Sequence, residues 1–189
     1  IGSKTVGGAV GEISYNCTNT ISDVHVNASI AGIHSVGGVV GYSILSDINN
    51  THFSGEITGG WQCGGVIGCA ELKPVDSVLF TDGCVYGTFN ANIKISNVSA
   101  TCDITSAGDC VGGVVGYLYT TDLVVWNDTG KNYTCYNVSI STELTNATHN
   151  GSIKGNSYVG GIIGKSQVGD KSQSYFGGDA ISATVSLDG

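Results

Sequence analysis

Nine asparagines stand in the sequon that N-glycosylation requires, Asn, any residue but Pro, then Ser or Thr: Asn16, Asn27, Asn49, Asn97, Asn127, Asn132, Asn137, Asn146 and Asn150. The chain carries 14 Asn, 21 Ser and 17 Thr in 189 residues. Random placement of these residues would produce about three sequons, so nine is an excess. An Asn-rich and Thr-rich β protein also gathers sequons as turn and ladder residues. Their excess, their recurrence ahead of one kind of strand, and the cluster from Asn127 to Asn150 favour modification. N-glycans on the asparagine amide place the chain in an oxidising secretory route, with an extracellular or cell-surface destination.

The cysteines fit that compartment. Cys17, Cys63, Cys69, Cys84, Cys102, Cys110 and Cys135 form no CxxC pair of the kind that marks zinc or thioredoxin-like chemistry. Disulfides are the expected use, with five of the seven crowded between Cys63 and Cys110. Spacing leaves the pairing open, and the odd thiol is expected to be buried as a small apolar residue, the alternative being a partner outside this chain.

Catalytic arrangements do not emerge. The carboxylates are scattered singly, and Asp103 and Asp109 flank a turn where solvation or capping of the backbone is the ordinary role. His25, His34, His52 and His149 fall in separate segments, and there is no Ser-His-Asp constellation, nucleophile elbow or metal spacing. With no Arg to clamp an acidic sugar, a polysaccharide-acting β-helix enzyme is the weakest reading. The expectation is a non-enzyme with no cofactor and no metal, carrying only covalent N-glycans. A Thr-x-Thr ladder at each turn, the mark of an ice-binding solenoid, is also missing.

These groups must be positioned by strands. Gly, Ser, Thr and Asn are abundant, helix formers such as Met and Arg are absent, and Pro occurs once. No apolar run reaches the roughly 20 residues of a membrane helix. A net charge of −8 with no Arg argues against nucleic acid and anionic lipid. A hexapeptide recurs five times: VGGAVG from Val6, VGGVVG from Val36, CGGVIG from Cys63, VGGVVG from Val111 and VGGIIG from Val159. Its starts are 30, 27, 48 and 48 residues apart. Ahead of the third, fourth and fifth copies come a sequon and a short alternating strand, GEIT, CDIT or GSIK. The expected fold is an all-β β-solenoid, parallel β-helix-like, built from repeats of about 24–30 residues with two of them doubled to 48, in one domain spanning 1–189. Seven or eight coils at ~4.8 Å would make a rod of about 35 Å. Asn49, Asn97 and Asn146 are expected at equivalent repeat positions, with their glycans in a row. Trp61, Trp126 and the tyrosines are expected to pack at coil corners.

The VGG(A/V/I)(V/I)G core, followed by Tyr at Tyr42 and Tyr117, resembles the GLUG repeat of extracellular surface proteins and large adhesins, although the Leu common in that repeat is Ala, Val or Ile here. The resemblance spans nearly the whole chain and implies a solenoid segment of a surface or adhesive protein, with no catalytic residues.

Neither an initiator Met nor a signal-like start is present, so a mature product or internal segment is expected. Neither end carries a polar cap, and uncapped coils need another coil against them. The function expected is a structural, N-glycosylated building block of a surface fibre, filament or cell coat assembled head-to-tail. Its partners are copies of itself or adjacent repeats of a longer chain. The alternative is the stalk or ligand-binding segment of a cell-surface adhesin, with host or surface glycans as its ligands.

Overall fold

The computed structural model describes residues 4–14, 19–44, 46–72, 80–81, 84–85, 89–120, 125–126, 132–133, 138–168 and 182–188. Each hexapeptide folds the same way. Its first two residues form a short strand, the glycines turn the chain, and its last residues open a second strand. The first strands, Val6–Gly7, Val36–Gly37, Cys63–Gly64, Val111–Gly112 and Val159–Gly160, stack as a five-stranded sheet. The second strands, Val10–Ile13, Val40–Ile44, Ile67–Leu72, Val115–Thr120 and Ile163–Val168, stack as another. The long strands Asn19–Ala31, Ser46–Gly59, Phe89–Ser106, Val138–Asn150 and Ser182–Asp188 form the third sheet, with Ile153–Lys154 also pairing to Phe89–Ser106. Pairing within all three sheets is parallel. The protein is therefore a β-solenoid in which each coil contributes one strand to each sheet.

The register fixes the coil length. Val6 pairs with Val36, Val36 with Cys63, Cys63 with Val111, and Val111 with Val159. The two 48-residue intervals are thus single coils and not doubled ones, and among the described residues the stack has five coils where seven or eight were expected. The extra length falls in the excursions that connect the second strand to the third. In coil 3 the excursion holds an antiparallel pair, Phe80–Thr81 with Cys84–Val85, and in coil 4 it holds Val125–Trp126 with Asn132–Tyr133. Four steps of ~4.8 Å separate the first coil from the last by about 20 Å.

In-register stacking turns a modest repeat into a core. Ile21, Ile48, Ile95 and Leu144 stand in one ladder; Ile30, Ile57, Ile104 and Ile153 stand in another. Ile48, Ile57, Ile95 and Ile104 are at most 1% exposed. Burying each such side chain is worth about 1.5–3 kcal/mol. The alternation over 101–108 sends Thr101, Asp103 and Thr105 outward and Cys102, Ile104 and Ser106 inward.

Two bends recur four times each among the described residues. The long strand bends at Asp23, Asn50, Asn97 and Asn146, with φ of 58°, 50°, 53° and 49°. Asn and Asp tolerate this left-handed conformation better than other non-glycine residues. The second bend, at Ser35, Gln62, Cys110 and Tyr158, comes just before the corner strand.

Candidate functional site

The sequon asparagines whose side chains are described, Asn27, Asn49, Asn97, Asn146 and Asn150, all lie on the long strands and all are exposed. Asn16, Asn127 and Asn137 lie outside the described residues, as do Cys17 and Cys135. Asn132 and Cys84 belong to the excursion strands, of which only the backbone is described.

The expected equivalence of three sequons needs a correction. Asn97 and Asn146 do occupy one ladder position, but the residue below them is Asn50, since Ser96 pairs with Asn49 and Val98 with Thr51. Asn49 is one residue out of step. The side chains nevertheless join: Asn146 Nδ2 donates to Asn97 Oδ1 (3.0 Å), and Asn97 Nδ2 donates to Asn49 Oδ1 (3.1 Å). Asn50 Nδ2 donates to Asp23 Oδ1 at 2.6 Å. A primary amide has two N–H groups, so a glycan on Nδ2 leaves one donor for the ladder. Asn27 and Asn150 share a different row, aligned through Ser54 and Thr101.

The one-residue offset has an energetic consequence at Thr51, the hydroxyl residue of the Asn49 sequon. Thr51 is in a ladder with Val24 and Val98 and is 0% exposed. Its Oγ1 has no hydrogen-bond partner among the described residues. A buried hydroxyl left unpaired costs about 1–3 kcal/mol, so the fold alone would favour Val at this position. Ser99, the corresponding residue of the Asn97 sequon, faces the other way and bonds His52 Nδ1. The His25 and His52 rings lie 4.7 Å apart, and His149 Nε2 meets the Cys102 carbonyl at 3.0 Å.

The disulfide expectation fails for every cysteine whose side chain is described: Cys63, Cys69, Cys102 and Cys110 are free, buried thiols. Parallel in-register stacking gives the reason. A side chain's nearest neighbours are the same-position residues of adjacent coils, and these are Val36 and Val111 for Cys63, Tyr42 and Tyr117 for Cys69, and Gly55 for Cys102. Burial is also the main cause pushing the thiols up, Cys69 to about 12 with Cys110 adding to it, and Cys102 to about 11 with Asp103 adding. The thiols therefore stay protonated near neutral pH.

Two ladders that the sequence reading missed run side by side, seven residues apart in every coil. One is Thr5, Ser35, Gln62, Cys110 and Tyr158; the other is Glu12, Tyr42, Cys69, Tyr117 and Lys165. Thr5 Oγ1 donates to Glu12 Oε2 at 3.3 Å in coil 1, and Lys165 Nζ lies 4.7 Å from the Tyr158 ring in coil 5. Lys165 is also 5.5 Å from the Tyr117 ring, whose hydroxyl donates to Gln167 Oε1 at 3.0 Å. Burial, and then Cys110, Tyr119 and Cys69, raise the Tyr117 phenol to about 12. A fixed seven-residue spacing on either side of the hexapeptide was the available signal.

Of the flagged acids, Asp103 accepts from the Ser152 amide (2.8 Å) and hydroxyl (2.7 Å), and Asp109 accepts from Asn156 Nδ2 at 3.0 Å. Both acids thus bond residues of the following coil segment. Among the described residues no group of three or more His, Cys, Asp or Glu could hold a metal ion. Trp61 is 50% exposed, not packed away at a corner as expected. No family model, curated protein or solved structure matches this chain.

Proposed function

We propose that the protein is a structural, N-glycosylated building block of an extracellular fibre, filament or cell coat, in which solenoid units stack head-to-tail. The observation that carries the glycosylated reading is Thr51: a hydroxyl sits fully buried without a partner where its ladder neighbours are Val24 and Val98, and it completes the sequon of exposed Asn49. The sequon is read on the chain before it folds, which makes that hydroxyl useful despite its burial. Outward Asn27, Asn97, Asn146 and Asn150 would add glycans to the same sheet, keeping water around the rod and hindering lateral pairing of strands. The likeness to GLUG repeats points the same way. Glycopeptide mass spectrometry of native material should find glycans on Asn49 and most other sequons. An unmodified mass of 19.2 kDa would overturn the glycosylated reading.

Half-exposed Trp61 favours a second reading, the stalk or ligand-binding segment of an adhesin, since an accessible indole can stack on a sugar. Glycan-array binding that is lost in Trp61→Ala would support it.

A further inference from the structure

The corner of coil 5 lacks the partner that every other corner has. In coils 2 to 4 the corner amides donate to carbonyls of the next coil in one repeated pattern. Val36 N reaches Gln62 O, Gly38 N reaches Gly64 O, and Val39 N and Val40 N share Val66 O, at 2.9–3.2 Å. The set recurs from Cys63, Gly65, Val66 and Ile67, and again from Val111, Gly113, Val114 and Val115. The counterparts in coil 5 are the amides of Val159, Gly161, Ile162 and Ile163, above which no coil lies among the described residues. At the opposite end, the carbonyls of Thr5, Gly7 and Ala9 are the counterparts of those acceptors and have no coil below them among the described residues. At the corner, therefore, one end presents donors and the other acceptors, in the same register.

The glycines match this polarity. A Cβ at Gly38, Gly65 or Gly113 would fall on the carbonyl oxygen of the equivalent glycine in the next coil, so only glycine fits. At Gly161 a Cβ would meet nothing within 4 Å, and its φ is not left-handed. The third glycine of the motif points the other way. A Cβ at Gly68 would lie 2.5 Å from Val36 N of the preceding coil, whereas at Gly11 it would meet only Thr5 O at 3.3 Å. Each end thus keeps a glycine whose steric reason elsewhere is an adjacent coil, and no such coil lies there among the described residues. Val159 is 46% exposed where Val36 and Val111 are 0% exposed.

Charge completes the match. The ladder that starts at Glu12 ends at Lys165, so a coil 1 seated on coil 5 would bring carboxylate and ammonium into adjacent rungs, about 4.8 Å apart along the stack.

We infer that the two ends are docking faces for each other: the first coil of a second copy seats on the fifth coil of the first, with Val6, Gly7 and Val10 of one copy over Val159, Gly160 and Ile163 of the other. The inference rests on the building-block reading and adds its contact surface, an edge-to-edge β-augmentation that repeats the internal coil step. Because the contact is heterologous, it propagates into a filament.

Sedimentation equilibrium and negative-stain microscopy of the 189-residue chain test it. The expected result is a mass that grows with concentration through multiples of the monomer, in stacks with an axial repeat of about 24 Å, five rungs per copy. Gly161→Val should keep the thermal midpoint of the monomer and weaken association at least about tenfold. Glu12→Lys and Lys165→Glu should each weaken it, and the double reversal should restore it. A chain monomeric at every concentration, or a Gly161→Val variant that stacks as well as the parent, would overturn the inference. Stacks formed by a protein whose native form carries no glycans would overturn the glycoprotein reading alone. Glycans on a chain that never stacks would overturn the docking faces and the head-to-tail assembly but leave the glycoprotein reading standing, whereas stacks unaffected by Gly161→Val would overturn the docking faces alone.

Discussion

Coils 3 and 5 are built from nearly the same hexapeptide, CGGVIG and VGGIIG, yet their corners live in different surroundings. Cys63, Val66 and Ile67 are 0% exposed because coils 2 and 4 cover them on both sides. In coil 5, Val159 is half-exposed and Ile162 and Ile163 are only partly buried, since among the described residues coil 4 alone covers them. The difference shows that the motif supplies half an interface twice over, an upper and a lower one. Its stabilising power depends on the neighbours it has and not on its own sequence.

The sharpest way to break this contrast is at the second glycine. Gly65→Val places a side chain on the Gly113 carbonyl and within 2.5 Å of Ala100 Cβ. It is expected to cost about 3 kcal/mol or more and to abolish cooperative unfolding in a denaturant titration, whereas the same change at Gly161 leaves the monomer intact.

Next in size is the corner isoleucine. Ile67→Ala should lower stability by about 3 kcal/mol and Ile163→Ala by about 1, measured by urea denaturation. Equal losses would mean that the end coil is covered after all.

Thr51→Val should raise stability by about 1–2 kcal/mol by removing an unpaired buried hydroxyl, and it should also strip any glycan from Asn49. Thr51→Ser keeps the sequon and serves as the control.

The interior thiols give a pH-dependent contrast. Cys69 and Cys102 have folded values raised from 9.0 to about 12 and about 11, so the unfolded chain loses these protons first. Their contribution to stability is complete below pH 9 and should be lost as pH rises toward those folded values. Alkylation by iodoacetamide at pH 8 should require denaturant.

The smallest effect is expected at Asp103, which is fully exposed. The Ser152 amide, then the Ser152 hydroxyl, hold its carboxyl below the usual carboxylate range. Its stabilisation is present above the unfolded value and is lost as pH falls through the depressed one. Asp103→Asn should therefore be slightly less stable than the parent at pH 7 and indistinguishable from it in strong acid, by thermal melting.

Much of the architecture could be read from the chain. The recurrence of VGGxxG marked all five corners, and the alternation in GEIT and CDIT marked a strand with one buried face. Two features could not be read. Forty-eight residues can be two small coils or one coil with a hairpin excursion; only the pairing of Cys63 with Val111 decides, because hydrogen-bond register is a property of two distant segments. Likewise Asn49-Asn50-Thr51 looks like Asn97-Val98-Ser99 as a string, but alignment of Asn50 with Asn97 sends Thr51 into the core and Ser99 outward. A shift of one residue exchanges the faces of a strand.

Residue types and spacing thus determined by themselves that the chain is a β-solenoid with exposed sequons, since a recurring glycine corner and a two-residue alternation have few other folded solutions. Only the tertiary structure decided which residue stands above which. That choice left Cys63, Cys69, Cys102 and Cys110 unpaired, joined Asn49, Asn97 and Asn146 through their amides, and left corner donors at one end with corner acceptors at the other. It follows from pairing between segments distant in the chain and, at the corners, from amides that donate toward the next coil.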